Sequence, residues 1–461
     1  MSDLLLKLRN LRRRFLTADL KALVKDSSWT MGGNIASSGL YLVETMLLAR
    51  YFSQELLGVY FLIISFPELV QQVLDVRVRE VMVRYLSMFV AQNEHRKVMA
   101  LIKLLWLVDF GVASLALLIV ALFSRLVSAS LLDDPSFAWL MSLYAVGMLF
   151  GSLDSASGPI LRVFGRFDMA FGAGLAISVG SFAATLIVVL VDGGIEGLIY
   201  GKVLVFILST LVLGVLSLRL IRLEVNSSFR VPLSEIVGYR QEIFRFAFHV
   251  NISSTMKTLA GKLDVIIVGA ILGPASVSIY KVLTQFSKTL RLLSDPLLLA
   301  VYPRFSLLAA QKKVSHINAL VKRLTIGLVF PLSIMMIVII VFRGQLVRAF
   351  AGQDYVNYSM IFVIAVAGMV PGLLFFWITP FLLSLDLAHL RTKGIVVSKL
   401  IGLIALGGLT WLWGLTGSAI GYSISWSLVV FVNLWQIIAW KRDWHLKSIW
   451  QPISAKYLSG R

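Results

Sequence analysis

Ionisable side chains interrupt two long apolar runs of the sequence, at residues 244–270 and 276–296. Among them are five candidates for a cationic site: Lys257, Lys262, Lys281, Lys288 and Arg291. In the second run, Lys281, Gln285 and Lys288 follow the i, i+4, i+7 spacing that places side chains on one helix face. A charge at membrane depth is costly and usually faces a cavity or a partner. The spacing therefore predicts one wall of a wet, cationic cavity, able to hold an anionic group such as a pyrophosphate by charge-assisted hydrogen bonds.

Acidic side chains form a second set within the apolar runs of the chain. Glu44, Glu68 and Asp264 are the candidates for ion coupling, since a carboxylate inside a membrane can carry a proton. A structural ion pair with a nearby lysine is an equally good explanation of Glu44 and Asp264. For Asp109 and Asp154 the sequence favours a structural role.

No catalytic or metal-binding motif accompanies these charges. The sequence has no Gly-rich phosphate loop, no G-x-S-x-G and no H-E-x-x-H. It has no cysteine, which excludes disulfides and thiolate metal sites, and its five histidines are scattered without ligand spacing. The sequence therefore indicates a protein that is not an enzyme and that needs no metal or other cofactor.

Membrane-spanning helices are the elements that must position the charges. Hydrophobic residues make up 58% and charged residues 15% of the chain, against roughly 45–50% and about 25% in soluble domains. A spanning helix needs about 20 mostly apolar residues. Such runs occur at 28–50, 57–74, 104–124, 138–161, 169–190, 197–218, 244–270, 276–296, 324–342, 357–384, 394–412 and 417–439. The predicted fold class is all-α, a polytopic integral membrane protein with about 12 transmembrane helices.

Basic residues are concentrated on one side of the predicted membrane. Of the 43 lysines and arginines, the outer loops carry only Arg50, Arg125, Arg343 and Arg348. By the positive-inside rule, both termini are expected in the cytoplasm. This bias explains the net charge of +19 without a nucleic-acid partner. Two lysines near span ends, Lys202 and Lys399, are expected to snorkel or to pair locally.

The second half of the sequence resembles the first. A gapless shift of 220 residues pairs Glu44 with Asp264 and Tyr60 with Tyr280. This similarity predicts two pseudo-symmetric six-helix bundles, arranged as parallel repeats with a cleft between them. The predicted divisions are an amphipathic basic cytoplasmic segment (1–27), an N-terminal bundle (28–222), a cytoplasmic linker (223–243), a C-terminal bundle (244–440) and a cytoplasmic tail (441–461).

Three stretches carry a resemblance to a known family: ETMLLARYFSQELLGVYFLIIS (44–65), LRVFGRFDMA (161–170) and KLDVIIVGAILGPASVSIYKVLTQ (262–285). They resemble the polysaccharide-biosynthesis (O-antigen type) flippases of the multidrug/oligosaccharidyl-lipid/polysaccharide exporter superfamily. The resemblance implies a two-lobed fold. It also implies that the protein moves a polyprenyl-diphosphate-linked oligosaccharide from the inner to the outer leaflet of the bacterial inner membrane, by alternating access, for cell-surface polysaccharide assembly. The family's cationic lumen would correspond to Lys257, Lys262, Lys281 and Lys288.

The expected partners are a lipid-linked anionic oligosaccharide and membrane lipids, with polysaccharide polymerase machinery as a further candidate. Two alternatives stay open. A cation-coupled multidrug-type exporter of the same fold is disfavoured, because a lysine-rich cleft should repel cationic drugs. A membrane-embedded enzyme of polysaccharide assembly is disfavoured by the short outer loops, which leave little room to align two substrates.

Overall fold

The computed structural model describes residues 29, 31–225, 228–311 and 313–446, and within these ranges it contains helices and no strand. The basic segment predicted at 1–27 and the tail beyond residue 446 lie outside the described residues. The high apolar content and the near absence of strand-like alternation explain this outcome, because a helix satisfies its own backbone hydrogen bonds inside a membrane.

Six helices form the N-terminal lobe (N-lobe). They are α1 (31–51), α2 (Gln54–Leu74), α3 (His95–Leu131), α4 (Ala138–Gly151 continued by Asp154–Val163), α5 (Phe167–Leu190) and α6 (Gly194–Glu224). Between α2 and α3 lie the short helical segments Val78–Val81, Met82–Leu86 and Ser87–Ala91, of which the middle one is a π-helix. The turn into α2 is capped by Ser53, whose hydroxyl accepts a hydrogen bond from the Leu56 amide.

Six further helices form the C-terminal lobe (C-lobe). They are α7 (Arg240–Leu272), α8 (Pro274–Leu290), α9 (Val314–Val341), α10 (Ser359–Leu374), α11 (388–412) and α12 (415–446). The last two are joined at Trp413 and Gly414, whose dihedral angles are not helical, and Gly414 has φ 58°. The connecting helices are Leu233–Tyr239, Arg291–Ser294, Asp295–Ala310, Arg343–Ala351, Gln353–Tyr358 and Ile378–Ser384.

Eight helices within the described residues are long and apolar enough to cross a membrane. The α11–α12 hairpin counts among them as one long helix, while α1, α7 and α8 are not among them. Helix α8 has only 17 residues, and α7 carries Lys262 and Asp264. The predicted total of twelve spans is therefore not confirmed by this criterion and stays a prediction.

The hydrophobic core is shared by both lobes at one end of the molecule and divided at the other. The turns at 52–53, 273 and 413–414 mark the end that the predicted orientation places outside, here named the outer end. In the outer half, one cluster joins both lobes, including Ile63, Ile199, Val268, Leu283, Phe362 and Ala419. In the inner half, one cluster around Tyr85 and Ile102 combines the N-lobe with Ile243 and Ala247 at the start of α7, and the C-lobe has a separate one around Phe305 and Phe381.

Close backbone contacts hold the lobes together at the outer end. Gly58 of α2 lies against the start of α8, and a methyl group added at this glycine would overlap the carbonyl of Pro274. The Arg50 guanidinium donates a hydrogen bond to the Ala349 carbonyl. The lobes are therefore in contact at the outer end, while the inner half has two cores, and only the start of α7 joins the one in the N-lobe.

Candidate binding cavities in the two lobes

The larger polar cavity, about 390 Å³, lies where the two lobes meet. Helices α1, α2, α4, α5 and α6 enclose it, and α7 and α8 each contribute a lysine, so we name it the N-lobe cavity. Its ionisable lining is Lys202, Lys262, Lys281, Glu44, Glu68 and Asp154. Among the described side chains, the lysines and the carboxyl groups are equal in number, so the cavity is less cationic than the sequence suggests.

Glu44 and Lys202 form a buried ion pair inside the N-lobe. The Lys202 ammonium lies 2.5 Å from the Glu44 carboxylate, and the Thr185 hydroxyl donates to the same carboxylate at 2.8 Å. Lys202 also donates to Ser181 at 2.8 Å. The three helices α1, α5 and α6 are thus tied together by one charged network, and each buried charge is compensated.

A second ion pair crosses from one lobe to the other. Glu68 on α2 accepts from the Lys262 ammonium on α7, and it also accepts from the Tyr144 hydroxyl at 3.1 Å. Both charged side chains are about a quarter exposed. Because both line the N-lobe cavity, an anion entering this cavity would compete with Glu68 for Lys262.

Lys281 is the lysine of this cavity that has no carboxylate partner among the described residues. Its side chain is buried, and its ammonium lies 4.9 Å from the centre of the Phe61 ring. A cation–π contact is weaker than an ion pair and leaves the ammonium protons able to donate. Lys281 therefore supplies the positive charge that the cavity can offer to a bound anion.

The structure brings together two of the five predicted basic residues, Lys262 and Lys281. Lys288 lies outside this cavity, with its ammonium 5.8 Å from the Tyr422 ring. The backbones of Lys257 and Arg291 lie in helical segments, but their side chains are outside the described residues. Lys281 and Lys288 lie two helical turns apart on α8 and have different neighbours, so the structure does not bring them to one cavity.

The three predicted ion-coupling candidates have different surroundings. Glu44 and Glu68 line the N-lobe cavity and are each held by a lysine. Asp264 is buried outside it, where it accepts hydrogen bonds from the Tyr280 hydroxyl at 3.0 Å and from the Val265 amide at 2.7 Å.

Sequence reasoning missed Lys202 and Asp154 as cavity residues. Lys202 was expected to snorkel or to pair locally, and in the structure it pairs with Glu44 of α1. Asp154 accepts from the Ser209 hydroxyl, as expected of a structural residue, and its carboxyl group also faces the cavity. The signal in the sequence for this ion pair was the presence of a lysine and a glutamate in separate apolar runs, because buried charges need partners. No sequence rule indicates that α1 and α6 are neighbours.

A smaller cavity of about 140 Å³ lies within the C-lobe, between α10, α11 and α12, and is named the C-lobe cavity. Arg391 and Lys399 line it, and its described lining contains no acidic residue. Lys399 is 5% exposed, donates to the Ser425 hydroxyl at 3.0 Å and lies 4.0 Å from the centre of the Trp426 ring. Lys399 is therefore held inside the C-lobe by a polar and an aromatic contact.

Solved structures with the same fold are membrane transporters. A multidrug resistance MATE family transporter of the MOP superfamily, in an inward-facing conformation, superposes with a TM-score of 0.66 at 13% identity, over 90% of this chain and 96% of that chain. The lipid II flippase MurJ, in an inward closed conformation, superposes with a TM-score of 0.63 at 18% identity, over 88% and 86%. The chain is thus an all-α, multi-pass membrane protein with the two-lobed fold that the sequence predicts.

The sequence comparison defines the family within this fold. Residues 86–360, more than half of the chain, match the family described as polysaccharide biosynthesis protein, and the chain belongs to this family. The inner membrane protein YghQ of Escherichia coli (strain K12) is 22% identical over 283 residues, which cover 60% of this chain and 78% of that protein. The predicted family is confirmed.

Proposed function

We propose that the protein is a flippase, which moves a polyprenyl-diphosphate-linked oligosaccharide from the inner to the outer leaflet of the bacterial inner membrane. The observation that carries this proposal is the division of the core. One core joins the lobes in the outer half, whereas the inner half has two separate cores, one in the N-lobe with the start of α7 and one in the C-lobe, and a charged cavity lies at the junction of the lobes. This arrangement suits a protein that receives its substrate from the inner side and releases it outside after the lobes rock.

The lining of the N-lobe cavity suits a saccharide with a phosphate at one end. Tyr41, Tyr60 and Tyr144 line the cavity, and the hydroxyl group and the ring of a tyrosine can both contact sugars. Lys262 and Lys281, at the C-lobe side of the cavity, can donate charge-assisted hydrogen bonds to a phosphate. Lys288 and the predicted Lys257 and Arg291 belong to the same proposal as further contacts along the substrate's path.

Ion coupling is a separate part of the proposal. Protonation of Glu44 or Glu68 would weaken the ion pair that each makes with a lysine, so a proton could change how tightly helices or lobes are held. Asp264 is the weaker candidate of the three, because it lies outside the cavity against Tyr280. The predicted cytoplasmic termini and a downstream polymerase partner are parts of the same proposal.

The test uses cells that lack the protein. Polyprenyl-linked saccharides would be extracted and the leaflet that they face determined. We expect a complete saccharide to accumulate on the inner leaflet, and to be cleared by the wild-type protein and by Lys393→Ala, an exposed control on α11, but not by Lys281→Ala. An unchanged pool of lipid-linked saccharide would contradict the flippase function. Full activity of Lys281→Ala would instead contradict the assigned site.

The three carboxyl groups in the N-lobe cavity favour a second candidate, a cation-coupled exporter of the same fold. Lys281→Glu separates the two functions, since it would leave two lysines and four carboxyl groups in the described lining. A flippase for an anionic lipid should lose activity, whereas an exporter of cations should keep or gain it. Drug-efflux assays and the leaflet assay on the same variant distinguish these outcomes.

A further inference from the structure

The C-lobe cavity has features that the proposed function does not use. Its volume of about 140 Å³ is well below the roughly 300–1,000 Å³ of pockets for drug-sized ligands. An oligosaccharide is too large for it, but a small head group fits. The cavity also lies against the inner-half core of the C-lobe, around Phe376 and Val430, rather than at the contact between the lobes.

Two basic side chains reach this cavity from one face of α11. Arg391, Ile395 and Lys399 follow i, i+4, i+8 spacing and all line it. Arg391 lies in the first turn of the helix, and Lys399 lies two turns deeper, almost completely buried. Both also interact with other groups of the chain, so a ligand would add to or replace those interactions. A guanidinium and an ammonium on one side of a cavity without a described acid suit a phosphate.

A polar group on α12 has capacity for a ligand hydroxyl. Asn433 is 2% exposed, and its amide nitrogen donates to the Val429 carbonyl at 2.6 Å. Its amide oxygen is buried and has no hydrogen-bond partner among the described residues. A buried acceptor without a donor is destabilising, so a donor from a ligand would be stabilising there.

The rest of the lining is mainly apolar. It includes Leu298, Met369, Leu373, Phe375 and Ile378. An apolar wall beside two cations matches an amphiphile with a charged head and a hydrocarbon chain.

We propose that the C-lobe cavity binds the phosphate of a lipid, and that a hydroxyl of the glycerol or sugar attached to this phosphate donates to Asn433. Two sources share this chemistry. One is an anionic phospholipid of the surrounding leaflet, such as phosphatidylglycerol, and the other is the lipid end of a polyprenyl-phosphate-linked sugar. The site goes beyond the proposed function, because it is separate from the N-lobe cavity and its occupancy does not depend on transport.

The experiment measures lipid binding to the purified full-length protein by native mass spectrometry. The probes are phosphatidylglycerol, a long-chain polyprenyl phosphate, diacylglycerol as the neutral lipid, and inorganic phosphate. The variants are Arg391→Gln and Lys399→Gln, with Lys393→Gln as the matched control, since Lys393 is exposed on the same helix and outside the cavity.

We expect a phosphate lipid to bind to the wild type and to the control with equal affinity, and at least about tenfold more weakly to each cavity variant. Preference for phosphatidylglycerol would assign the site to the surrounding leaflet, and preference for the polyprenyl phosphate would assign it to the lipid end of the substrate. The proposal is overturned if diacylglycerol binds as tightly, or if the control loses as much affinity as the variants. Arg391 lies near the surface, so Arg391→Gln keeps the test valid if Lys399→Gln does not fold.

Discussion

The two lobes share a helix plan but place their charges differently. Under the 220-residue shift, Glu44 of α1 corresponds to Asp264 of α7, and Tyr60 corresponds to Tyr280. Both acids are buried, at 4% and 5% exposure. In the N-lobe the acid pairs with a lysine, Lys202, whereas in the C-lobe it accepts a hydrogen bond from the equivalent tyrosine, Tyr280.

The cavities show the same difference on a larger scale. The N-lobe cavity combines three lysines with three carboxyl groups, while the described lining of the C-lobe cavity has two cations and no acid. The residues that the 220-residue shift pairs therefore differ in chemistry between the two lobes. Each lobe can bind a different part of a ligand, or a different ligand, on the same backbone arrangement.

The largest expected effect comes from breaking the ion pair of the N-lobe. Lys202→Met leaves the Glu44 carboxylate buried without its cation, which should lower the free energy of unfolding by about 3–5 kcal/mol. The double variant Glu44→Gln/Lys202→Met removes both charges and should recover most of this loss. Unfolding in mixed micelles, followed by the loss of helical circular dichroism, measures both.

Lys393→Met is the control for this experiment, because Lys393 is exposed. The free energy of unfolding of this variant should differ from that of the wild type by no more than about 0.5 kcal/mol. If the double variant is as unstable as the sum of the two single variants, then Glu44 and Lys202 do not act as a pair, and the contrast between the lobes would lose its main support.

A smaller effect is expected at the corresponding position of the C-lobe. Tyr280→Phe removes one donor to Asp264 and leaves the Val265 amide as the remaining described one. The loss of a hydrogen bond to a buried carboxylate should cost about 2 kcal/mol, less than the loss of a full counter-charge. The same unfolding assay measures it. In the N-lobe, Tyr60→Phe is the repeat-related control, and an equal loss there would mean that the two lobes treat this tyrosine alike.

Local sequence features predicted the class of fold. The apolar runs correspond to α1–α12, because length and hydropathy are properties of one segment at a time. Gly273 and Gly414 lie in turns between such runs. The family resemblance is confirmed by the match over residues 86–360.

The same reasoning could not predict which helices are neighbours. The structure pairs Glu68 with Lys262, because α2 packs across the lobe boundary against α7, and nothing in the sequence indicated this pair. Likewise Lys288 lies over Tyr422 of α12. Such contacts depend on which helices are neighbours, and one sequence carries no direct signal of this.

The smallest effect is expected at the ion pair that joins the lobes. Glu68 and Lys262 are partly exposed to the cavity, so their attraction is screened and should contribute about 1 kcal/mol. Because the pair crosses the boundary between the lobes, Lys262→Gln should change how the lobes are arranged rather than how stably the protein folds. We expect it to shift the equilibrium about fivefold away from the outer-closed state, in which the lobes touch at the outer end.

The chain lacks cysteine, so Gln54→Cys and Asp354→Cys can report this shift without further substitution. The Gln54 side chain donates to the Asp354 carbonyl at 2.9 Å, and a short bifunctional maleimide should link the two cysteines while the outer end is closed. We expect Lys262→Gln to slow this reaction, and the exchanged pair Glu68→Lys/Lys262→Glu to restore it. An unchanged rate in Lys262→Gln would show that the contacts at Gly58 and Arg50 hold the lobes together without the ion pair.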